Sequence, residues 1–144
     1  MSIVKTENLH KKYPKPGKKN EFFYAVNGTS VSIEAGEIYG ILGPNGAGKT
    51  TTLEMIEGLT DIDEGEAWID GISVNKEPYK TKKLIGVQLQ ANEYFDHLNL
   101  SELIALFSQL YGRYDDPLLL LEQVNLKEKA KAKPKELSGG QQQR

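Results

Sequence analysis

The sequence predicts an α/β fold with part of a parallel sheet, an antiparallel β subdomain and the start of a helical subdomain. Three observations predict it. Short β-prone stretches fill residues 2–42, a glycine-rich loop joins an apolar stretch to a helix-forming one at residues 37–57, and two further helical patterns follow residue 100. We expect one domain over residues 1–144, with the β subdomain and loop at 1–90 and the helical subdomain at 91–144.

Strands are expected at the start of the chain and over residues 24–33, on either side of a surface loop at 11–20 that is rich in Lys, Pro and Gly. Residues 37–42 are apolar on both faces and are bounded by glycines, which is typical of a strand buried in a parallel sheet. Residues 84–89 predict a second buried strand. The pair Asp70-Gly71 between two apolar stretches predicts a hairpin with a type I′ turn.

Three helices are predicted. The first covers residues 49–57, places Leu53 and Ile56 on one face and ends at Gly58, a residue suited to a left-handed cap. The second is capped by Ser101 and ends at Gly112. Its apolar stripe consists of Leu103, Leu106, Phe107 and Leu110. The third begins at residues 116–117, where proline fits the first helical position because that position needs no amide donor.

The glycine-rich loop matches the pattern Gly-x-x-x-x-Gly-Lys-Ser/Thr. Its glycines let backbone amides turn inward around phosphate oxygens, and the helix that follows adds positive charge at its N-terminus. Lys49 is predicted to supply a charge for the terminal phosphates, and the Thr50 hydroxyl a Mg²⁺ ligand. The complete loop is Gly43, Pro44, Asn45, Gly46, Ala47, Gly48, Lys49 and Thr50.

Composition limits the possible partners. The chain carries 18 Lys and Arg against 20 Asp and Glu, a formal net charge of −2, so it has no overall attraction to nucleic acid and we expect no such partner. It contains no cysteine, which fits a reducing cytosol. No apolar run approaches the roughly 18 residues of a membrane span, and the N-terminus lacks a signal-peptide core. Any membrane role would therefore come through a partner.

Kinases, GTPases, helicases and transporter ATPases all carry such a loop, so a second motif has to decide between them. Residues 137–141 read Leu-Ser-Gly-Gly-Gln. Together with residues 43–51 they make the chain resemble the ATP-binding subunits of ABC transporters, whose signature motif is LSGGQ. The resemblance covers nearly all 144 residues and implies a P-loop NTPase core that binds ATP and Mg²⁺, with Thr51 completing the loop.

The resemblance implies roles for two further residues. Residues 9–13 resemble the A-loop, which makes Tyr13 the candidate for stacking on adenine, with Tyr24 as the competing aromatic residue. Residues 85–90 resemble the strand that leads into the Q-loop, and Gln90 rather than Gln88 takes the position that reaches Mg²⁺ and the attacking water. Neither histidine matches the switch histidine of the family.

The resemblance also implies partners. The signature would contact the γ-phosphate of ATP held by a second nucleotide-binding subunit in a head-to-tail dimer. The residues that would do so are Ser138, Gly139, Gly140 and Gln141. Transmembrane subunits would dock on the helical subdomain and the Q-loop between residues 90 and 112, holding the chain at the cytoplasmic face of the membrane.

The family's Walker B aspartate, catalytic glutamate and switch histidine follow the signature and have no counterpart in residues 1–144, so no catalytic base is assigned. We expect ATP binding with negligible turnover from this chain, and hydrolysis in a longer parent protein. The sequences of residues 38–44 and 106–112 resemble those of the bacterial multidrug and antibiotic exporter branch. Two alternatives are a non-hydrolysing nucleotide-binding module and a soluble ABC protein of translation or DNA repair.

Overall fold

The computed structural model describes residues 2–88 and 95–144, which form two compact units, residues 1–88 and 89–144. Each unit is considered by itself. The first contains β1 (Ser2–Pro14), β2 (Phe22–Glu34), α1 (Lys49–Ile56), β3 (Glu64–Ile69), β4 (Ile72–Ser73) and α2 (Pro78–Thr81). The second contains α3 (Leu100–Leu110), α4 (Pro117–Gln123), two 3₁₀ helices (Lys127–Lys129 and Pro134–Glu136) and α5 (Gly139–Gln142).

The strands of the first unit form one sheet in the order β2-β1-β3-β4, and every neighbouring pair is antiparallel. β1 and β2 are longer than predicted. Residues 11–14, expected in the surface loop, pair with residues 22–26, so the connection shrinks to residues 15–21. Tyr13 and the aromatic residues at 22–24 have a high β-strand propensity, and this preference outweighed the Lys and Pro content that had indicated a loop.

The β1–β2 ladder is irregular, with several shifts of register. One of them leaves Ala25 without an opposite residue, because Lys11 pairs with Val26 whereas Lys12 pairs with Tyr24. A second bulge lies at Asn8, whose backbone is left-handed (φ 51°). Such bulges turn side chains from one face of a sheet to the other, so they decide which residues meet.

The hairpin between β3 and β4 is the predicted one. Asp70 and Gly71 have φ angles of 49° and 74°, and two positive values define a type I′ turn. Trp68 pairs with Ser73 and Ile69 with Ile72 on either side of it.

Helix α1 packs on the sheet and closes the core of the first unit. Its buried residues are Thr52, Met55 and Ile56, whereas Leu53, expected on the same apolar face as Ile56, is 44% exposed. The buried face of α1 is therefore rotated about the helix axis relative to the predicted apolar face. Gly58 ends the helix with the expected left-handed backbone (φ 68°). The core consists of Leu9, Val26, Met55, Ile56, Ala67, Ile69 and Val74.

Two predicted strands are not formed. Residues 37–42 have no strand partner among the described residues, and Ile38 and Leu42 are 100% and 94% exposed. The second predicted strand covers residues 84–89. Its residues 84–88 are turn and irregular backbone, and Leu89 lies outside the described residues. An apolar run becomes a strand only when a neighbour completes its hydrogen bonds, and none of β1 to β4 runs beside these segments.

In the second unit, α3 starts one residue earlier than Ser101 and is capped by Asn99. The Asn99 side chain accepts a hydrogen bond from the Glu102 amide, while the Glu102 carboxylate accepts one from the Asn99 amide. This capping box satisfies two donors at once and so outcompetes a serine cap. Gly112 (φ 67°) stops the helix as predicted. α4 begins at Pro117 with Asp116 as its cap, also as predicted.

The predicted apolar stripe of α3 is only partly covered. Leu103 is buried and Leu106 half-buried, but Phe107 and Leu110 are 45% and 69% exposed. The core of this unit consists instead of Leu103, Leu121, Leu126 and Leu137. Ser108, a polar residue of α3, is buried, and its hydroxyl is satisfied because it donates to the Asp115 carboxylate.

An ion pair ties β1 to the residue before β3. Lys11 Nζ lies 2.9 Å from Asp63 Oδ1, and the Lys12 amide donates to Asp63 Oδ2 at 2.7 Å. The Lys11 hydrogen bond, and then the Lys12 amide, lower the pKa of Asp63 from its ordinary value of 3.8. A carboxyl group whose pKa falls on folding stabilises the fold above its unfolded pKa and loses this contribution as the pH falls through the folded value.

We therefore expect Asp63→Asn to lower the free energy of unfolding by roughly 1 kcal/mol at pH 7. The difference from the parent chain should shrink as the pH falls below 3.8. Urea unfolding between pH 2 and about 7 measures this. Asp61→Asn is the control, because Asp61 is exposed and makes neither contact. Equal pH profiles for Asp63→Asn and the parent chain would contradict the assignment.

Candidate functional site

The glycine loop connects the extended segment 37–42 to α1 by a turn at residues 44–47. The Ala47 amide donates to the Pro44 carbonyl at 3.3 Å, which closes the turn. Gly46 and Gly48 have φ angles of 82° and 80°, in the left-handed region that glycine adopts without strain. Gly48 is the N-cap of α1, so the loop ends where the helix exposes its first amides.

Gly48 touches the sheet through its backbone. A Cβ atom at this position would lie 2.1 Å from the Ala25 carbonyl oxygen and 3.3 Å from Val26 Cγ2. Ala25 is the bulged residue of β2, and its carbonyl lies beside the loop. Only glycine fits there. A Cβ at Gly46, by contrast, would meet nothing within 4 Å.

Lys49 folds back over the loop. Its ammonium group donates to the Gly43 carbonyl at 2.8 Å and to the Pro44 carbonyl at 2.7 Å. A lysine has three N–H donors, so one remains for an oxygen of a bound anion. The side chain also lines an open cavity of about 370 Å³ in the first unit, which leaves room for a phosphate group beside it.

The three threonines after the lysine differ in exposure. Thr52 is buried and its hydroxyl donates to the Gly48 carbonyl at 2.9 Å, which fixes the start of the helix. Thr51 is half-buried, and Thr50 is exposed in the first turn. Of the three, Thr50 is therefore the most accessible to solvent.

Tyr13 lies on the face of the sheet that α1 covers. In β1, Leu9, Lys11 and Tyr13 alternate onto one face, and the buried Leu9 packs in the same core as Met55 of α1. Tyr13 pairs with Phe23, and the two ring centroids are 6.2 Å apart at an angle of 37°.

Tyr24 lies on the opposite face. It pairs with Lys12, whose ammonium is 5.0 Å from the Tyr24 ring centroid, and the His10 ring meets it edge-on at 5.7 Å. Glu64 binds Lys12 and raises its pKa, and Lys12 in turn lowers the pKa of Glu64. The sheet therefore separates Tyr24 from the face that carries α1.

The signature residues belong to the second unit. Ser138 and Gln141 form a capping box: the Gln141 amide donates to Ser138 Oγ at 3.4 Å, and the Ser138 amide donates to Gln141 Oε1 at 3.0 Å. Leu137 is buried, whereas Gly139 and Gly140 are exposed at the start of α5. Gln142 Nε2 donates to the Pro134 and Leu137 carbonyls and so anchors the short helix.

The structure thus collects residues 43–52 in the first unit and residues 137–142 in the second. Gln90 lies outside the described residues, and Gln88, the alternative glutamine, is exposed.

Sequence reasoning missed three contributors: the Ala25 carbonyl, the Thr52 hydroxyl and the Phe23 ring. Strict alternation along residues 22–26 would place the Phe23 ring on the face opposite to Val26, and the bulge at Ala25, which has no sequence signal, reverses this and also brings in the Ala25 carbonyl. A threonine four residues after a helix-capping glycine would have been a signal for the second.

A glycine loop that caps a helix, with a lysine folded over it, defines the P-loop class of nucleotide-binding proteins. Residues 26–144 match the protein family described as ABC transporter. The chain belongs to the ABC transporter family.

Two curated relatives and one solved structure illustrate the match. The chain is 37% identical over 99% of its length to the linearmycin resistance ATP-binding protein LnrL of Bacillus subtilis (strain 168). It is 36% identical over its whole length to the methionine import ATP-binding protein MetN of Carboxydothermus hydrogenoformans. A dimeric ATP-binding cassette in a post-hydrolysis state, bound to ADP and Pi, matches with a TM-score of 0.81 and 32% identity over 97% of the chain. This similarity confirms the predicted fold class.

The chain covers 45% of the first relative, 44% of the second and 65% of the solved cassette, so it spans about half the length of the curated relatives it matches. No helix in the two described ranges has the length and apolarity that crossing a bilayer requires.

We expect Gly48→Ala to lower the free energy of unfolding by about 2 to 4 kcal/mol, because the new Cβ forces the loop and the Ala25 bulge apart. Gly46→Ala is the matched control: it has the same left-handed backbone in open space, so it should cost about 1 to 2 kcal/mol. Urea unfolding of both variants measures the difference. Equal losses would show that the contact between Gly48 and Ala25 is not tight.

Proposed function

We propose that this chain binds ATP through the glycine loop, as part of the ATP-binding subunit of an ABC transporter. The observation that carries the proposal is the position of Lys49. Its ammonium group holds two carbonyls of the loop and keeps one donor for an anion. The exposed amides at the start of α1 and the helix dipole add to this attraction. The solved relative with ADP and Pi supports the choice of nucleotide.

Tyr13 is the residue we propose for the adenine ring. It lies on the sheet face that α1 covers, whereas Tyr24 lies on the other face, so the geometry supports Tyr13 over its competitor. Stacking of a base on an aromatic ring is worth about 1 to 3 kcal/mol. The remaining residues proposed for the nucleotide are those of the loop: Gly43, Pro44, Asn45, Gly46, Ala47, Gly48, Lys49, Thr50 and Thr51.

The cation proposed to accompany ATP is Mg²⁺, with the Thr50 hydroxyl as its protein ligand. Mg²⁺ in nucleotide sites is held mainly by phosphate oxygens and water, with few protein ligands. Among the residues that the structure describes, no group of three or more His, Asp or Glu side chains could hold a metal ion. Gln90 is proposed as a further ligand by resemblance alone.

We expect Lys49→Ala to weaken ATP binding at least tenfold, since charge-assisted hydrogen bonds are worth about 1.5 to 3 kcal/mol. Isothermal titration calorimetry with Mg-ATP measures the dissociation constant. Lys19→Ala is the control, because this exposed lysine lies in the connection between β1 and β2. Binding that Lys49→Ala leaves unchanged, or no binding by the parent chain, would overturn the proposal.

The second part of the proposal is a head-to-tail dimer in which the signature of one copy meets the ATP of the other. The exposed Gly139 and Gly140 support it, because their backbone can approach a phosphate closely. The matched solved cassette is itself a dimer. Transmembrane subunits are the proposed further partners, with the exposed Phe107 and Leu110 of α3 as apolar surface available for docking.

The chain has no cysteine, which permits a direct test of this dimer. A copy with Asn45→Cys mixed with a copy with Gly139→Cys should form a disulfide-linked heterodimer under mild oxidation, and more of it with Mg-ATP than without. Denaturing electrophoresis without reductant measures the product. Each variant alone, and the pair combined with Lys49→Ala, are the controls. Cross-linking that does not respond to ATP would count against a dimer that closes on the nucleotide.

We propose that the direction of transport is export, because the sequences of residues 38–44 and 106–112 resemble those of the bacterial multidrug and antibiotic exporter branch. The linearmycin resistance relative supports this choice, while a methionine import relative has nearly the same identity. Deleting the parent gene should make cells sensitive to antibiotics and leave amino-acid uptake unchanged. The reverse result would assign the parent to import.

A further inference from the structure

Three consecutive aromatic residues, Phe22, Phe23 and Tyr24, begin β2, and all three are exposed by 44% or more. Phe22 pairs with Pro14, Phe23 with Tyr13, and Tyr24 with Lys12, so Phe23 points to one face of the sheet and its two neighbours to the other. Only Phe23 shares the face of Tyr13. The three residues are alike in chemistry and differ in direction.

The bulge at Ala25 creates this difference. Without it, Phe23 would lie on the face opposite to Val26, because the two residues are three positions apart along the strand. With it, both lie on the face that α1 covers, since Phe23 pairs with Tyr13 and Val26 with Lys11, two β1 residues of the same face. The Ala25 carbonyl is also the atom that touches Gly48. One irregularity therefore places the glycine loop and turns Phe23 toward Tyr13.

Tyr13 has two neighbours on its own face. The Phe23 ring centroid is 6.2 Å away, within the range of favourable aromatic contacts. The ammonium of Lys11 lies 5.7 Å from the Tyr13 ring centroid and is itself held by Asp63. These contacts restrict the rotamers of Tyr13. A ring that is ordered before a ligand arrives does not lose that freedom on binding, which improves affinity.

We infer that Phe23 is a positioning residue for the nucleobase: it holds the Tyr13 ring in the orientation that stacks on adenine. The inference rests on the proposed ATP-binding function and deepens it. The competing explanation is that Phe23 and Tyr13 form a cross-strand pair that stabilises the sheet alone. The two explanations differ in one respect. A positioning role affects ligands that carry a base and spares ligands made only of phosphate.

The test compares Mg-ATP with inorganic tripolyphosphate by titration calorimetry on the full chain. We expect Phe23→Ala to raise the dissociation constant for Mg-ATP by about three- to tenfold, the cost of ordering one side chain. Tripolyphosphate binding should stay within twofold of the parent value. Phe23→Trp, which keeps an aromatic partner, should restore ATP binding. Phe22→Ala is the matched control, because it removes the same side chain from the other face, and it should change neither constant.

The variants Tyr13→Ala and Lys49→Ala separate this inference from the proposal on which it rests. Tyr13→Ala should weaken ATP and spare tripolyphosphate, and Lys49→Ala should weaken both. If Tyr13→Ala behaves in this way but Phe23→Ala binds ATP like the parent, or loses both ligands equally, the positioning role is wrong and ATP binding stands. If the parent chain binds no ATP, the proposed function and the inference both fail.

Discussion

The approach of Gly48 to the Ala25 carbonyl is the constraint on which the site depends. At this point the loop backbone rests directly on the sheet backbone, with no space for even one methyl group between them. The glycine also caps α1, so the same residue sets where the helix begins. Met55 and Ile56 then reach the core beside Leu9 and Val26. Loop, helix and core are thereby positioned by a single backbone contact.

Bulges in the two long strands make that contact possible. A regular antiparallel ladder keeps carbonyls in the plane of the sheet, directed at the neighbouring strand. Ala25 has no opposite residue in β1, and a bulge of this kind disrupts the ladder locally. A similar arrangement recurs in the middle of β1, where a Cβ on Gly65 would lie 2.2 Å from the Asn8 carbonyl oxygen. In both places a bulge and a glycine occur together, since the displaced carbonyl needs a neighbour without a side chain.

The features that the sequence predicted correctly are those with a local cause. The turn at Asp70-Gly71 and the helix end at Gly58 need a left-handed backbone, and the helix start at Pro117 needs a position without a donor. The loop motif has the same local character. The predictions that were wrong depend on distant residues. Residues 37–42 have a strand pattern but lack a neighbour among the described strands. In α1, the apolar face expected to include Leu53 is shifted, because Leu53 is 44% exposed and Met55 packs in the core instead.

Because residues 37–42 have no neighbour among the described strands, other contacts fix the position of the glycine loop. A strand that precedes a phosphate loop normally fixes its first residue through ladder hydrogen bonds, but here the described strands offer none to residues 38–42. The loop is instead secured from its helix end. Gly48 packs against the sheet backbone, and the Thr52 hydroxyl donates a hydrogen bond to the Gly48 carbonyl. The Lys49 ammonium donates to the carbonyls of Gly43 and Pro44. Lys49 therefore shapes the loop from within, and the proposed function assigns the same ammonium group a second contact with the bound anion.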